Sequence, residues 1–285
     1  MGQTGNVVIT GAAAGIGAAT ARMLAAEGFT VFAGVHRHPG ELEGLRGVRV
    51  VPLDVTDPAS VRAAVEAITD EVGTRGLQAV VNNAGVIVHG PQELLPDAEL
   101  RRQFEINTFG PVTVTRHCLP LLRAGRGRVV NISAPTARIP LPFMGPIGAS
   151  KAALASLSDA LRLELTPWRI PVAVVEPGGT ATEIFDKAGA AFAEAAAAGD
   201  PRVLARYSAQ LEAVAAASSR QKLVPAETVA RLITTAVTAR RPRRRYVARN
   251  ARAFGVLTHL PAGLRERAVL AAMGLRHAGS ESAAG

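Results

Sequence analysis

The sequence predicts a single-domain α/β protein, a doubly wound parallel sheet of about seven strands with helices on both faces. Short runs rich in β-branched residues alternate with longer amphipathic segments, which is the pattern of parallel strands joined by crossover helices. Several of the runs are apolar at every position, as expected for strands that helices cover on both faces. The predicted strands are 6–10, 30–35, 48–53, 77–82, 128–133, 171–176 and 245–248.

Between the strands, apolar residues recur at helical spacing. In residues 150–165, leucines stand at positions 154, 157, 161 and 165, which predicts a helix with one packing face. No internal repeat and no linker rich in Gly, Pro or Ser divides the chain. We therefore treat residues 1–248 as one domain and the tail, 249–285, as part of it. The long Ala-rich segment 186–221 is expected to form a helical flap over a substrate pocket.

Composition favours a soluble, cytoplasmic protein. No stretch of about 18 apolar residues is present, so we expect no membrane span. The first strand begins near residue 6, so we expect no signal peptide, and the single cysteine, Cys118, fits a reducing compartment. The net charge of +9 is mostly arginine, with a dense run at 240–245. Because no aromatic residues are interleaved there, a solvated loop is favoured over a nucleic-acid patch.

A glycine-rich turn lies between the first strand and the first predicted helix. It reads Thr10-Gly11-Ala12-Ala13-Ala14-Gly15-Ile16-Gly17. Gly11 permits the tight turn, while Gly15 and Gly17 let the backbone approach a pyrophosphate and let the helix pack on the sheet. The N-terminus of the helix offers free N–H groups to phosphate. The turn, with Ala13 and Ile16 in it, is therefore a candidate dinucleotide-binding site.

Further motifs follow in a fixed order along the chain. They are Leu53-Asp54-Val55, Asn82-Asn83-Ala84-Gly85, Asn107, Lys151 in Gly148-Ala149-Ser150-Lys151, and Pro177-Gly178 with Thr182. With the glycine turn, this series resembles the short-chain dehydrogenase/reductase superfamily. The segments Arg245-Tyr246 and Leu260-Pro261 give a weaker likeness to its hydroxysteroid and retinol dehydrogenase branch.

The resemblance implies a Rossmann fold that binds a nicotinamide dinucleotide and gives each motif a role. Asp54 and Val55 would contact adenine, and the segment 83–85 would line the cofactor. Asn107 would hold a relay water, and Lys151 would bind the nicotinamide ribose. The last motif, Pro177 and Gly178 with Thr182, would clasp the carboxamide.

The end of the second strand bears on the choice of nucleotide. A carboxylate at this place would bind the ribose 2′-OH of NAD. The chain has Val35, His36 and Arg37 instead. Because Arg37 is suited to a 2′-phosphate, NADP is favoured over NAD, although Arg37 can also be an exposed loop residue.

Two residues that the family uses for proton chemistry are missing. In the family, a Tyr four residues before the Lys donates a proton, and a Ser some 12 or 13 residues before the Tyr holds the substrate oxygen. Here those positions are Ile147 and Ala134. Ser133 lies next to the second position, but one step along a strand turns a side chain to the other face unless a bulge intervenes. The candidate catalytic residues are therefore Asn107, Lys151, Ser133 and His89, and no metal site is predicted.

The leading hypothesis is that the chain is an oxidoreductase with an atypical active site. Its substrate would be bulky and hydrophobic, such as a quinone, an enone or an imine, which accept hydride without a strong local acid. His89, or less readily Tyr207 in the flap, is a possible replacement acid. The alternatives are a non-redox cyclase, dehydratase or isomerase, and a non-catalytic nucleotide-binding protein. The resemblance also implies a homodimer or homotetramer that forms through the helices beginning near Asp97 and Lys151.

Overall fold

A computed structural model describes residues 5–275 of the chain. Seven strands form one parallel sheet in the order β3-β2-β1-β4-β5-β6-β9, and two short strands form a second sheet. The strands are β1 Asn6–Thr10, β2 Thr30–Val35, β3 Val48–Pro52, β4 Ala79–Asn82, β5 Arg128–Ile132, β6 Val172–Glu176, β7 Thr180–Ala181, β8 Val224–Pro225 and β9 Arg245–Val247. The predicted Rossmann-type fold with a seven-stranded parallel sheet is confirmed.

Ten α-helices lie between and after the strands in the described part of the chain. They are α1 Gly15–Ala26, α2 Pro58–Val72, α3 Asp97–Phe104, α4 Gly110–Ala124, α5 Gly145–Glu164, α6 Ile184–Ala198, α7 Pro201–Ser219, α8 Ala226–Thr238, α9 Arg252–Leu257 and α10 Ala262–Ala272. Two of them start at an Asp-Pro pair. Asp57 and Asp200 cap α2 and α7 by accepting a bond from the backbone N–H two residues on, and Pro occupies the first helical position.

The core lies on both faces of the sheet, as the apolar strands predict. Alternate residues of β1 point to opposite faces, so Val7 and Ile9 pack with α1 and α8, whereas Val8 packs with α2 and α4. All three side chains are fully or almost fully buried. The sheet is thus sealed on both sides, and its carboxyl edge is left for the loops that carry the polar motifs.

The segment predicted as a flap consists of α6 and α7. It leaves the main sheet after β7 and returns at β8, and these two strands pair in parallel, Thr180 with Val224. The two-residue sheet therefore closes the base of the helical insertion. The tail after β9 contains α9 and α10, and the part of it beyond residue 275 lies outside the described residues, as do residues 1–4. Within residues 5–275, no helix is both long and apolar enough to cross a membrane.

Candidate functional site

The glycine turn has the geometry of a phosphate cradle. Gly11 and Gly15 have φ angles of +61° and +54°, which side chains rarely adopt. A Cβ added at Gly17 would lie 2.3 Å from the carbonyl oxygen of Gly11, so the first turn of α1 packs too closely for any side chain there. Ala14 precedes α1 without a side-chain cap, and no acidic residue stands in the first turn. The free N–H groups of this helix start therefore fit an anionic phosphate.

The segment after β4 is fixed to the glycine turn. The side-chain amide of Asn83 donates to the carbonyl oxygens of Thr10 (3.0 Å) and Gly11 (2.9 Å). In return, the Thr10 hydroxyl accepts bonds from the backbone N–H groups of Asn83 and Ala84, both at 3.0 Å. Two of the sequence motifs thus form one rigid unit. At its end, a Cβ on Gly85 would lie 3.6 Å from Nζ of Lys151, so this glycine keeps the approach to the lysine open.

Asn107 is fully buried in a single π-helical turn, Glu105–Phe109, that joins α3 to α4. Its side chain accepts from the backbone N–H of Val86 and donates to the Val86 carbonyl, both at 2.9 Å. Gln103 holds the same segment from one turn earlier. It accepts from the N–H of Val88 at 2.6 Å and donates to the Val86 carbonyl at 2.9 Å. The sequence analysis did not predict a role for Gln103, because a single glutamine in a helix carries no recognisable pattern.

Lys151 lies in the second turn of α5 and is buried. Its ammonium donates to the carbonyl oxygen of Ile132 at 2.7 Å. Burial disfavours the charged form and lowers the pKa of Lys151 from 10.5 to about 8. Ile147 lies one helical turn before it and is 5% exposed. The helix therefore presents a lysine and, four residues earlier, an aliphatic side chain that cannot exchange a proton.

Ser133 and Ala134 follow β5. The hydroxyl of Ser133 donates to the backbone carbonyl of Lys151 at 3.2 Å, and the residue is 2% exposed. The backbone N–H of Ser133 continues the ladder to Val175 without a bulge at this position. The Ser133 hydroxyl is thus engaged with α5. Ala134 is half-buried and begins the loop that leads to α5.

The adenosine end of the site lies after β2 and β3. His36 and Arg37 are exposed there, and His36 Nε2 lies 3.2 Å from a carboxylate oxygen of Asp54. Burial opposes ionisation of Asp54, but bonds from the hydroxyl and the N–H of Thr56, with help from His36, lower its pKa overall. Arg37 makes no ion pair within residues 5–275, so its guanidinium is available. Val55 is buried against Gly110, at the start of α4.

The Pro177-Gly178 segment reaches back to the glycine turn. A Cβ added at Gly15 would lie 2.9 Å from Cγ2 of Thr182, so these two motifs are in contact. Gly178 packs against Asn250, whose amide also donates to the carbonyl of Gly179 at 2.9 Å. The structure thus brings the motifs at residues 11–17, 83–85, 151 and 177–182 to one edge of the sheet.

His89 and Tyr207 take part in contacts between the flap helices, α6 and α7, and the loops beside the site. The ring of His89 lies 5.4 Å from that of Phe192 in α6, and burial lowers the pKa of His89. The hydroxyl of Tyr207 in α7 donates to Glu93 at 2.9 Å, and its ring meets Phe143 edge-on at 6.2 Å. These contacts join both flap helices to the loops beside the site. Neither side chain hydrogen bonds to Lys151 in the described part of the chain.

A buried ion triad at the same edge was not predicted. Glu176, the last residue of β6, is fully buried. Its two carboxylate oxygens accept bonds from Arg138 (2.6 Å) and from Arg245. Arg138 belongs to the loop after β5 and Arg245 begins β9, so the triad connects three neighbouring parts of the sheet edge.

Comparison with known proteins identifies similar chains. The family model described as short chain dehydrogenase matches residues 5–191. The human 11-beta-hydroxysteroid dehydrogenase type 2 is 36% identical over 92% of this chain and 68% of its own length. The mouse estradiol 17-beta-dehydrogenase 2 is 41% identical over 62% of this chain, which spans only 49% of that relative. The NADPH-dependent 3-dehydrocapnine reductase of Ornithobacterium rhinotracheale is 36% identical over 84% of this chain and 86% of its own length.

Solved structures show the same fold. A short-chain dehydrogenase from Streptomyces avermitilis superposes with a TM-score of 0.72 at 28% identity, over 94% of this chain and 97% of that one. A short chain dehydrogenase from Burkholderia cenocepacia, solved in complex with NADP, gives a TM-score of 0.73 at 24% identity, over 93% of this chain and 97% of that one.

Proposed function

Because the chain belongs to the short chain dehydrogenase family of oxidoreductases, we propose that it is a nicotinamide-dependent oxidoreductase with an atypical proton site. The observation that carries the proposal is the single cluster of glycine turn, Asn83, Lys151 and Thr182 at the carboxyl edge of the sheet. When bound there, the nicotinamide nucleotide would supply or accept the hydride.

The residues of this chain would divide the binding work. The N-terminus of α1 would hold the pyrophosphate, Lys151 Nζ the nicotinamide ribose, and Pro177, Gly178 and Thr182 the carboxamide. We propose NADP rather than NAD, since the exposed Arg37 can meet a 2′-phosphate and the end of β2 carries Val35, His36 and Arg37 in place of a carboxylate. The similarity to an NADPH-dependent reductase and to a structure in complex with NADP adds support for NADP.

The proposal assigns Ile147 the position of the family's proton donor and Ala134 that of its oxygen-holding serine. An isoleucine neither donates nor accepts a proton, so a simple ketone would have no acid at this point. A positioned acid contributes roughly 10²–10⁴-fold to rate. We therefore propose substrates whose reduced form stabilises negative charge without help, such as quinones and enones, or substrates that are already cationic, such as iminium ions.

The substrate proposed is bulky and apolar. The flap places Phe192 and the Ala-rich helix α6 beside the loop at 87–96, and the lining there is mainly hydrophobic. Relatives named for steroid substrates, and a 3-ketodihydrosphingosine reductase that is 40% identical over 63% of this chain, are consistent with a hydrophobic substrate.

Ile147 also supports a second candidate function. A site that holds a hydrophobic metabolite beside an aliphatic wall suits a cyclase, dehydratase or isomerase, with the nucleotide bound but not consumed. Turnover without a change in nicotinamide absorbance would distinguish this function from hydride transfer. Tight nucleotide binding with no turnover would indicate a non-catalytic binding protein.

Two further parts of the proposal concern assembly and location. We propose a homodimer or homotetramer, because α4 and α5 leave large apolar side chains exposed, among them Val112 (40%), Leu157 (44%) and Leu163 (74%). We also propose a cytoplasmic location, in line with a single, buried cysteine that has no partner for an internal disulfide.

Titration of the purified protein with NADPH and NADH, followed by cofactor fluorescence, tests the proposal. We expect saturable binding that favours NADPH over NADH. The Arg37→Gln variant should bind NADPH about tenfold more weakly, with its affinity for NADH unchanged. A spectrophotometric screen of ketones, quinones, enones and imines then tests the reaction. Failure of both nucleotides to bind at millimolar concentration would contradict the proposal, as would fast oxidation of a simple secondary alcohol.

A further inference from the structure

A wide, open surface cavity lies at the carboxyl edge of the sheet, beyond β6. Its volume is about 320 Å³, which is within the range of sites for small ligands. The loop after β5, the last residue of β9, helix α9 and the turn after it form the walls. The lining residues are Arg138, Val247, Arg252, Gly255, Val256 and His259.

Nitrogen donors dominate the polar lining of this cavity. Arg138 donates from one terminal nitrogen, Nη2, to Glu176, whereas Nη1 makes no hydrogen bond to the described residues. Both terminal nitrogens of Arg138 face Gly255, 3.7 Å from where a Cβ of that residue would lie. Arg252 and His259 form no ion pair within residues 5–275. The walls include no carboxylate, since Glu176 is fully buried behind Arg138.

The surrounding segment is strongly positive. Residues 240–275 contain nine arginines and one acidic residue, Glu266, and therefore carry a net charge of +8 out of the +9 of the whole chain. A cavity lined by nitrogen donors, with Arg252 outside any ion pair among residues 5–275, and set in such a segment attracts and concentrates anions. The charge of the segment and the nitrogen donors of the lining thus point to the same class of ligand.

The 2′-phosphate of a dinucleotide bound at Arg37 would not reach this cavity. Arg37 follows β2, whereas the cavity lies at β9, and five strand spacings separate these two strands in the sheet. At about 4.8 Å per spacing the separation is roughly 24 Å. The cavity lies instead beside the other end of the cofactor site, since Asn250, which packs on Gly178, is two residues before Arg252.

We propose that Arg138, Arg252 and His259 form a binding site for a compact oxyanion, a phosphate or sulfate group, that is separate from the dinucleotide site. Guanidinium groups bind such oxyanions through N–H donors, and the bond from Nη2 to Glu176 fixes the guanidinium of Arg138 while its Nη1 faces Gly255. Gly255 keeps the floor of the site open. The oxyanion can belong to a free phosphorylated metabolite or to a phospholipid headgroup, which share this chemistry.

The test is a titration of the full-length ¹⁵N-labelled protein with inorganic phosphate, and with sulfate, at constant ionic strength. We expect saturable shifts of the Gly255 and Val256 amides, with the amides of Gly15 and Gly17 as monitors of the dinucleotide site. The Arg252→Gln variant should bind inorganic phosphate at least about tenfold more weakly. Arg249→Gln, a neighbouring exposed arginine outside the cavity, should change it by less than about twofold. Gly255→Leu should abolish binding by filling the space.

Two sources of the oxyanion are separated by a second pair of probes. Glycerol 3-phosphate that binds as tightly as inorganic phosphate indicates a soluble metabolite. Cosedimentation with vesicles that contain phosphatidic acid, but not with vesicles of phosphatidylcholine alone, indicates that the oxyanion is a phospholipid headgroup. This conclusion requires that the Arg252→Gln variant no longer cosediments. The proposal is overturned if no saturable shift occurs at Gly255, if phosphate shifts only Gly15 and Gly17, or if Arg249→Gln and Arg252→Gln weaken binding equally. Because the readout is local, it is independent of whether a nicotinamide nucleotide binds.

Discussion

At the level of single residues, Ile147 and Lys151 lie one turn apart on α5 and are both buried. If position 147 is the place where the family's proton donor stands, the double variant Ala134→Ser/Ile147→Tyr should reduce simple ketones faster than the wild type by about 10²–10⁴-fold. The measurement is the initial rate of NADPH oxidation with a panel of ketones. Ala134→Ser/Ile147→Phe is the matched control, because it keeps the added serine and the ring but lacks the phenolic hydroxyl. Equal rates for the Phe and Tyr variants would contradict this role for residue 147.

Lys151 predicts an unusual dependence of stability on pH. Burial lowers its pKa from 10.5 to about 8, so between these values the unfolded state binds more protons than the folded state. The free energy of unfolding of the wild type, relative to Lys151→Met, should therefore rise as the pH increases from 8 to 10.5, by up to about 3 kcal/mol. Urea denaturation of both proteins without nucleotide measures this difference. The exposed Lys222→Met provides the control, and a flat difference for Lys151→Met would refute the prediction.

At the level of elements, the flap helices are held by few contacts. Phe192 of α6 packs on His89 and lies against Gly90, whereas Phe185 of the same helix is 38% exposed. Phe192→Ala should therefore release α6 and α7 locally while the sheet stays intact. We expect amide hydrogen exchange in α6 and α7 to accelerate by about tenfold, for a loss of about 1.4 kcal/mol. Phe185→Ala should leave exchange unchanged. Acceleration that extends to β1 or β4 would show global unfolding instead.

At the level of elements, the sequence was sufficient to predict the strands of the main sheet. It was not sufficient to predict contacts between residues that are far apart in the chain. Two of the seven strands, 6–10 and 30–35, have the predicted bounds, and the others differ by one or two residues. The pair β7 and β8 was missed, because two residues carry no periodicity and their pairing depends on where the flap returns. The partners of Glu176 were missed for a similar reason. Arg138 and Arg245 lie 38 and 69 residues away and meet only because β5, β6 and β9 are neighbours.

The site shows the same division between local and tertiary information. The glycine turn could be predicted because positive φ and close backbone approach each demand a particular residue. Gln103 could not, because its two bonds to the segment 86–88 depend on how α3 approaches β4. Similarly, the sequence left open whether Ser133 faces the site. The packing of α5 on β5 directs its hydroxyl to the carbonyl of Lys151.

At the level of the whole molecule, charge and exposed apolar area lie in different regions. The positive charge is concentrated in residues 240–275, whereas Phe109 (52% exposed) and Val112 (40%) lie one turn apart at the start of α4. A single chain leaves these side chains in water, and contact with a second copy would bury them. The proposed oligomer therefore uses a surface that carries little of the net charge, and its formation brings no large positive segments together.

Substitution of a charge into this surface should dissociate the oligomer. Val112→Asp would place a carboxylate in an apolar contact, where it is costly without a partner. We expect sedimentation velocity to show a dimer or tetramer for the wild type and a monomer for Val112→Asp, with unchanged circular dichroism. Val256→Asp, at a residue that is 68% exposed on α9, is the control and should keep the wild-type assembly. A monomeric wild type at about 100 μM, a concentration that would populate even a weak micromolar dimer, would refute the proposed assembly.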